Sequence, residues 1–232
     1  MAQNNGFTLW LTGMSGTGKT TLANYIAARL RQVDRNVEVL DEAEVGEDLW
    51  GGLGDSKDER VVMVRRLGAV ANMLSRNDVA TLVASVSPYK AVREENRRAI
   101  QRYVEVYVDC PTEKLIERDT TGRYRKALQG EIPNFIGITE PYEPPSSPEV
   151  TIHSDADSVE DGAMRIFQAL LDLGYMTGEE LRVITGKRMK AQPVGKKARR
   201  ATPAKGAMAR PAARAARSAM PAKPAKASKK KK

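Results

Sequence analysis

The residues with the densest chemistry lie together near the N-terminus: Gly13-Met14-Ser15-Gly16-Thr17-Gly18-Lys19-Thr20, followed by Thr21. Gly13, Gly16 and Gly18 allow a backbone to turn its N–H groups inward around an anion with no Cβ in the way. A lysine directly after the last glycine can carry its ammonium to the β- and γ-phosphates of a nucleotide. The hydroxyl of Thr20 can ligate Mg²⁺, and Ser15, Thr17 and Thr21 complete the phosphate-binding stretch. The flanks agree. An apolar run, Phe7-Thr8-Leu9-Trp10-Leu11-Thr12, precedes the loop, and Leu22, Ile26 and Leu30 recur four apart after it. Strand, glycine loop and helix in that order form a P-loop, with the positive end of the helix dipole on the phosphates. A turn that merely joins strand to helix would not need every fixed position of the motif at once. The chemistry implied is the binding of a nucleoside triphosphate with Mg²⁺. The loop does not fix where the γ-phosphate goes.

Other elements must hold that loop in place. Val37-Glu38-Val39-Leu40-Asp41 reads as a second strand ending in an acid. A helix is expected over about residues 58–75, with Met63, Leu67, Val70 and Leu74 at helical spacing. Residues 79–84 are apolar almost throughout, as in a buried parallel strand. A charged helix over about 91–102, a strand over 103–109 and a short helix from Pro111 to Arg118 follow. Residues 119–148 are rich in Gly, Pro and charge without a long period, and read as a lid. A short strand at 150–152, a helix marked by Val159, Ala163, Ile166, Phe167 and Leu170, and a short helix capped at Thr177 close the pattern. Alternating strands and helices imply a doubly wound, mostly parallel five-stranded sheet with helices on both faces. Ligands belong beyond the carboxyl ends of its strands, where the P-loop, Asp41, residues 85–89 and Asp109-Cys110-Pro111 all fall.

The 232 residues hold one such domain, over residues 1–186, and an appendage, over 187–232. The two differ in charge. Residues 187–232 contain 17 of the 38 Lys and Arg and none of the 29 Asp and Glu, which leaves the rest at about −8 although the whole chain carries +9. The appendage is Lys, Arg, Ala and Pro with few large apolar side chains, a composition expected to be disordered. Its charge suits non-specific binding to nucleic acid or another polyanion, or a merely solubilising role. No apolar run approaches the ~18 residues of a membrane span. No N-terminal signal peptide is visible, and Cys110 is the single cysteine, so a cytoplasmic location is expected.

Three segments carry a family resemblance. They are Gly13 to Thr21; Ala84-Ser85-Val86-Ser87-Pro88-Tyr89-Lys90; and a third run beginning Tyr107-Val108-Asp109-Cys110-Pro111. The third continues through Glu117-Arg118-Asp119, Gly122-Arg123-Tyr124-Arg125-Lys126-Ala127, Gly130-Glu131-Ile132, Phe135, Gly137-Ile138 and Pro141-Tyr142-Glu143-Pro144. In order and spacing, residues 8–175 resemble the adenylylsulfate kinase family. The resemblance implies a P-loop kinase fold with a lid. It also implies transfer of the ATP γ-phosphate to the 3′-hydroxyl of adenylylsulfate with Mg²⁺, in sulfate assimilation. A homodimer is open to such a protein. The departures lie on the acceptor side. Where the family usually carries Leu-Asp-Gly-Asp-Asn-x-Arg, this chain has Leu40-Asp41-Glu42-Ala43-Glu44-Val45-Gly46. The family's Gly-Phe-Ser becomes Gly54-Asp55-Ser56, and its Asp-Arg-x-x-Asn becomes Glu59-Arg60-Val61-Val62-Met63.

The remaining candidates follow from that frame, each with a plainer reading beside it. Asp41 can hold a Mg²⁺-bound water or orient the acceptor hydroxyl; a strand-end acid that caps a turn is the plainer reading. Glu42 and Glu44 can stand in for the missing second acid, or be solvated loop charges. Arg118, Arg123 and Lys126 flank the lid, where cations can close over a transferring phosphoryl group; each alone could be a solvated surface charge. Arg60 can pair with an anionic group of the acceptor, or form a helix-surface salt bridge. Phe135 can stack on a base or fill the lid. Ser87 can touch substrate or serve the turn before Pro88. Cys110 reads as an inert buried thiol, and His153 has no visible partner motif. Three functions stay open: an adenylylsulfate kinase, a P-loop kinase of another small hydroxyl or nucleotide acceptor, and a weakly catalytic nucleotide-binding protein tethered to nucleic acid by residues 187–232.

Overall fold

The computed structural model describes residues 5–46, 49 and 51–186, so the expectations for 187–232 lie outside the described residues. In chain order the elements are β1 (Phe7–Thr12), α1 (Lys19–Arg31), β2 (Val37–Asp41), α2 (Lys57–Ser75), β3 (Ala80–Ala84) and α3 (Lys90–Ala99). Then come β4 (Tyr103–Asp109), α4 (Thr112–Arg118), α5 (Arg123–Leu128), β5 (Val150–His153), α6 (Val159–Asp172) and α7 (Gly178–Thr185). The five strands form one sheet in the order β2-β3-β1-β4-β5, every neighbouring pair parallel. Leu9 sits in register with Leu82 on one side and Val104 on the other. All six residues of β1 and all five of β3 are buried, which is why their sequences run apolar without alternation.

The sheet separates two cores. On one face α1, α6 and α7 contribute Leu22, Ile26, Leu30, Ile166, Phe167 and Leu181. On the other, Val64, Leu67 and Ala71 of α2 and Val92 of α3 meet Trp10, Val83 and Tyr103. Each such side chain stabilises the fold by roughly 1.5–3 kcal/mol of burial, which the short helices could not match by propensity alone. Under the lid a third, smaller cluster joins Cys110, Leu115, Tyr124, Ala127 and Phe135.

Capping divides the helices by role. α2 opens with a capping box of Ser56 and Glu59, and α7 with one of Thr177 and Glu180. α1 opens on Gly18, in the left-handed region at φ 90°, with no side chain over its first N–H groups. Those donors stay available to an anion. Two boundaries differ from the sequence expectation. α3 ends at Ala99, because the buried Ile100 takes extended backbone and feeds β4. The lid holds a short helix, α5, started at Gly122 rather than by a hydrophobic period. No described helix is long and apolar enough to cross a membrane.

Candidate active site

The phosphate loop is pressed against the sheet at Gly13, where a Cβ would stand 2.2 Å from the carbonyl oxygen of Val108. The Thr17 hydroxyl closes the turn by donating to the Met14 carbonyl at 3.0 Å. Lys19 folds back across the loop, its Nζ donating to the carbonyls of Gly13 at 2.9 Å and Met14 at 2.8 Å. Burial lowers the pKa of this ammonium from 10.5 to about 8, against the opposing pull of Glu42 and, after it, Asp41. A phosphate beside it would restore full protonation. Thr20, on the first turn of α1, donates its hydroxyl to Asp41 Oδ2 at 2.5 Å. The other oxygen of Asp41 accepts the Ala43 N–H at 2.8 Å, so both are held and the side chain is 4% exposed. Lys19 and the Thr20–Asp41 pair thus lie together at the start of α1 and the end of β2.

Two cavities flank that point. One, of about 190 Å³, runs along the β4–β5 side and is lined by Gly16, Gly18, Thr21, Arg118, Ser154 and Asp157. Arg118 is held at its rim by a bond from Nη1 to the Ser154 carbonyl at 3.1 Å. Ser154 and Asp157 escaped the sequence reading, although they follow the carboxyl end of β5, where the topology places ligands. The second is a narrow cleft on the β2–β3 side, lined by Glu42, Arg60, Met63, Ser85, Ser87 and Pro88. Glu42 Oε2 accepts both the Ser85 hydroxyl at 2.7 Å and the Val86 N–H at 2.8 Å. Arg60 reaches Asp55 Oδ1 at 2.8 Å and the Asn134 carbonyl at 3.0 Å, which joins the start of α2 to the lid. Ser87 holds φ at +35°, and its hydroxyl turns inward. It accepts from Trp10 Nε1 at 2.9 Å and meets Thr12 Oγ1 at 3.1 Å.

The lid is fastened at both ends. At its start the Tyr124 hydroxyl donates to the Ser15 carbonyl of the phosphate loop at 2.6 Å. The carboxylate of Asp119 accepts the Thr121 hydroxyl and the N–H groups of Thr121 and Tyr124, and these bonds hold its pKa below the usual value. Phe135 is 5% exposed and meets the edge of Tyr124 at 4.9 Å between centroids. Arg123 lies over the other ring, 5.5 Å from the Phe135 centroid. Both Arg123 and Lys126 are exposed, and neither side chain bonds the phosphate loop among the described residues. At the lid's end Glu143 donates its N–H to the Pro88 carbonyl at 2.9 Å and accepts the Lys90 N–H at 2.7 Å. Tyr142 meets Thr12 Oγ1 at 2.9 Å and stacks on Tyr107.

Beneath these contacts lies Arg93, its side chain 1% exposed. It donates to Ser87 O at 2.6 Å, to Glu143 O at 2.5 Å and to Glu105 Oε1 at 3.1 Å. Sequence reading passed over Arg93 because α3 looks charged all round. His153 stands 3.6 Å from Asp109 at the sheet's carboxyl edge, and Cys110 is buried.

Comparison with known proteins bears on the same residues. The family model for adenylylsulphate kinase matches residues 5–153. The adenylyl-sulfate kinase of Rippkaea orientalis is 45% identical over 174 residues, 75% of this chain and 96% of the relative. That of Myxococcus xanthus is 44% identical over 180 residues, 76% of this chain and 97% of the relative. Among solved structures, the Mycobacterium tuberculosis APS kinase in complex with AMPPNP and APS is similar at a TM-score of 0.68 and 32% identity. That likeness covers 71% of this chain and 97% of the solved one. Likeness of this extent, running through the phosphate loop, both cavities and the lid, makes the chain a kinase and a member of the adenylylsulphate kinase family.

Proposed function

We propose that this protein transfers the γ-phosphoryl group of ATP to the 3′-hydroxyl of adenylylsulfate. The observation that carries the reading is the meeting of Lys19, Thr20 and Asp41 between two cavities. The cavity beside Arg118 follows the loop towards α1 and suits the base and ribose of ATP. The Lys19 ammonium and Asp41 mark the γ-phosphate end, so the cavity on the β2–β3 side faces the acceptor. In the reaction a bond forms between the acceptor oxygen and Pγ, the bond from Pγ to the bridging oxygen of ADP breaks, and the hydroxyl proton passes to solvent. Lys19 and the open N–H groups of α1 hold the phosphate oxygens as charge redistributes. Thr20 and Asp41 offer hard oxygen donors at the phosphate position, a set that fits Mg²⁺ bound together with a nucleotide. Bound there, Mg²⁺ would neutralise charge on the β- and γ-phosphates. Arg123, Lys126 and Phe135 act from the lid, and closure excludes water.

The second reading keeps ATP and changes the acceptor. Met63 favours it, since it lines the acceptor cavity where the family pattern has an asparagine. The test is ADP formation from ATP with adenylylsulfate, beside a panel of other nucleotides and small hydroxyl compounds. Stimulation by adenylylsulfate above the acceptor-free rate is expected. A flat response to it, with clear stimulation by another acceptor, would select the second reading.

A further inference from the structure

The two neighbouring acids Asp41 and Glu42 are held differently. Both oxygens of Asp41 already accept a bond on the phosphate-loop side or from the backbone, Oδ2 from the Thr20 hydroxyl and Oδ1 from the Ala43 N–H. It faces the phosphate loop from the end of β2. Glu42 is the next residue, and its N–H continues the ladder to the Ala84 carbonyl at 2.9 Å. The pleat therefore turns its side chain to the opposite face, towards α2. There Oε2 is clamped by the Ser85 hydroxyl and the Val86 N–H. Oε1 has no hydrogen-bond partner among the described residues, and the side chain lines the same cleft as Arg60. Ala43, which follows, offers no polar side chain.

We infer that Glu42 positions the acceptor: its Oε1 accepts the hydrogen bond of the acceptor hydroxyl and aims that oxygen at the γ-phosphate, while Asp41 serves the metal and phosphate side. The inference rests on the kinase reading above but not on adenylylsulfate as the acceptor. It assigns the cavity a ligand chemistry: a hydroxyl for Glu42 and an anionic group for Arg60, on one small molecule. The clamp matters because an oxygen fixed by two bonds leaves its partner oxygen pre-aimed, so little freedom is lost when the substrate binds.

Glu42→Gln isolates the idea. The amide oxygen can still accept from Ser85 and Val86, so the local structure has its bonds. The other position becomes an NH₂ group, which donates and cannot accept the hydroxyl. We expect kcat/KM for the acceptor to fall by about 10- to 100-fold, the scale of one hydrogen bond to a charged group. ATP affinity, measured by equilibrium binding without acceptor, and the melting temperature should stay at wild-type values. An acceptor kcat/KM within threefold of wild type would overturn the inference and leave Glu42 a turn-forming residue. A matching loss of ATP affinity would also overturn it, by placing the charge on the nucleotide side. If the wild-type enzyme ignores adenylylsulfate but phosphorylates another hydroxyl compound, the comparison is made with that compound. In that case the adenylylsulfate reading fails while the role of Glu42 is still decided. If no acceptor is phosphorylated at all, both fail.

Discussion

Replacing Arg93 by methionine tests the joint beneath the acceptor loop and the lid. The side chain is 1% exposed and holds three oxygens at once, on Ser87, Glu143 and Glu105. Methionine keeps the length and fills much of the volume but supplies no donor. Two carbonyls lose a charge-assisted bond. Glu105 keeps one partner, because Arg97 Nη2 reaches its other oxygen at 3.1 Å. Removing one member of a buried ion pair costs about 3–5 kcal/mol, and the remaining Arg97 places this case near 3. For a domain of this size that corresponds to a fall in melting temperature of about 6–12 °C, at roughly 2–4 °C per kcal/mol. Urea unfolding followed by circular dichroism measures the loss directly. Arg93→Lys keeps the charge but cannot fork to three acceptors, so it should fall between wild type and the methionine variant. A methionine variant within about 1 kcal/mol of wild type would refute the reasoning, since it would mean that Glu105 and the two carbonyls lose nothing when Arg93 is gone.

Lys19→Ala should reduce acceptor-dependent ADP formation by at least ~100-fold, the scale of losing a preorganised charge; the fold should persist, and near-normal turnover would remove Lys19 from the mechanism. Asp41→Asn should lower turnover about 100-fold, whereas Glu44→Gln on the exposed loop should not; the reverse pattern would move the essential carboxylate along the loop. The lowered pKa of Lys19, about 8 against an ordinary 10.5, predicts proton uptake on ATP binding between those values. Below that window the free ammonium is already protonated, and within it the phosphates pull back a proton that burial had expelled. Calorimetry at about pH 9 in two buffers of different ionisation enthalpy measures the uptake, and a value of zero, or one unchanged in Lys19→Ala, would refute it. Removing residues 187–232 should leave kinase activity unchanged and abolish a weak, salt-sensitive binding of nucleic acid; a salt titration of both forms decides, and binding that survives removal would locate the basic site on the folded body.

What could be read in advance was local. The spacing of Gly13, Gly16 and Gly18 before Lys19 and Thr20, and the continuous burial of β1 and β3, are encoded within a few residues, and both appear as expected. What could not be read joins distant parts of the chain. Tyr124 and Ser15 lie far apart in sequence, and nothing in either stretch announces the bond between them. The clamp on Glu42 depends on the end of β3 lying beside the end of β2, a fact of strand order rather than of composition. Arg93 falls in a stretch read only as a charged helix and Glu105 in one read only as a strand, and their mutual burial is visible in neither stretch alone. Ser87 illustrates the opposite limit: its place beside the site was legible, but not that its hydroxyl turns inward to Trp10 and Thr12.

The fastenings of the lid, two at its ends and one between them, constrain how a molecule can pass beneath it. A flap anchored at one end swings clear of a site as a rigid body. Here Tyr124 grips the phosphate loop, Glu143 grips Pro88 and Lys90, and between them the Asn134 carbonyl is held by Arg60, so the stretch is a bridge with a central tie to α2. Arg123 lies next to one abutment, and Phe135 lies in the span. The contact of Arg123 with Phe135 therefore links an end of the bridge to its central tie, and admitting a molecule beneath the span means giving up the Arg60 bond as well as making room at either abutment.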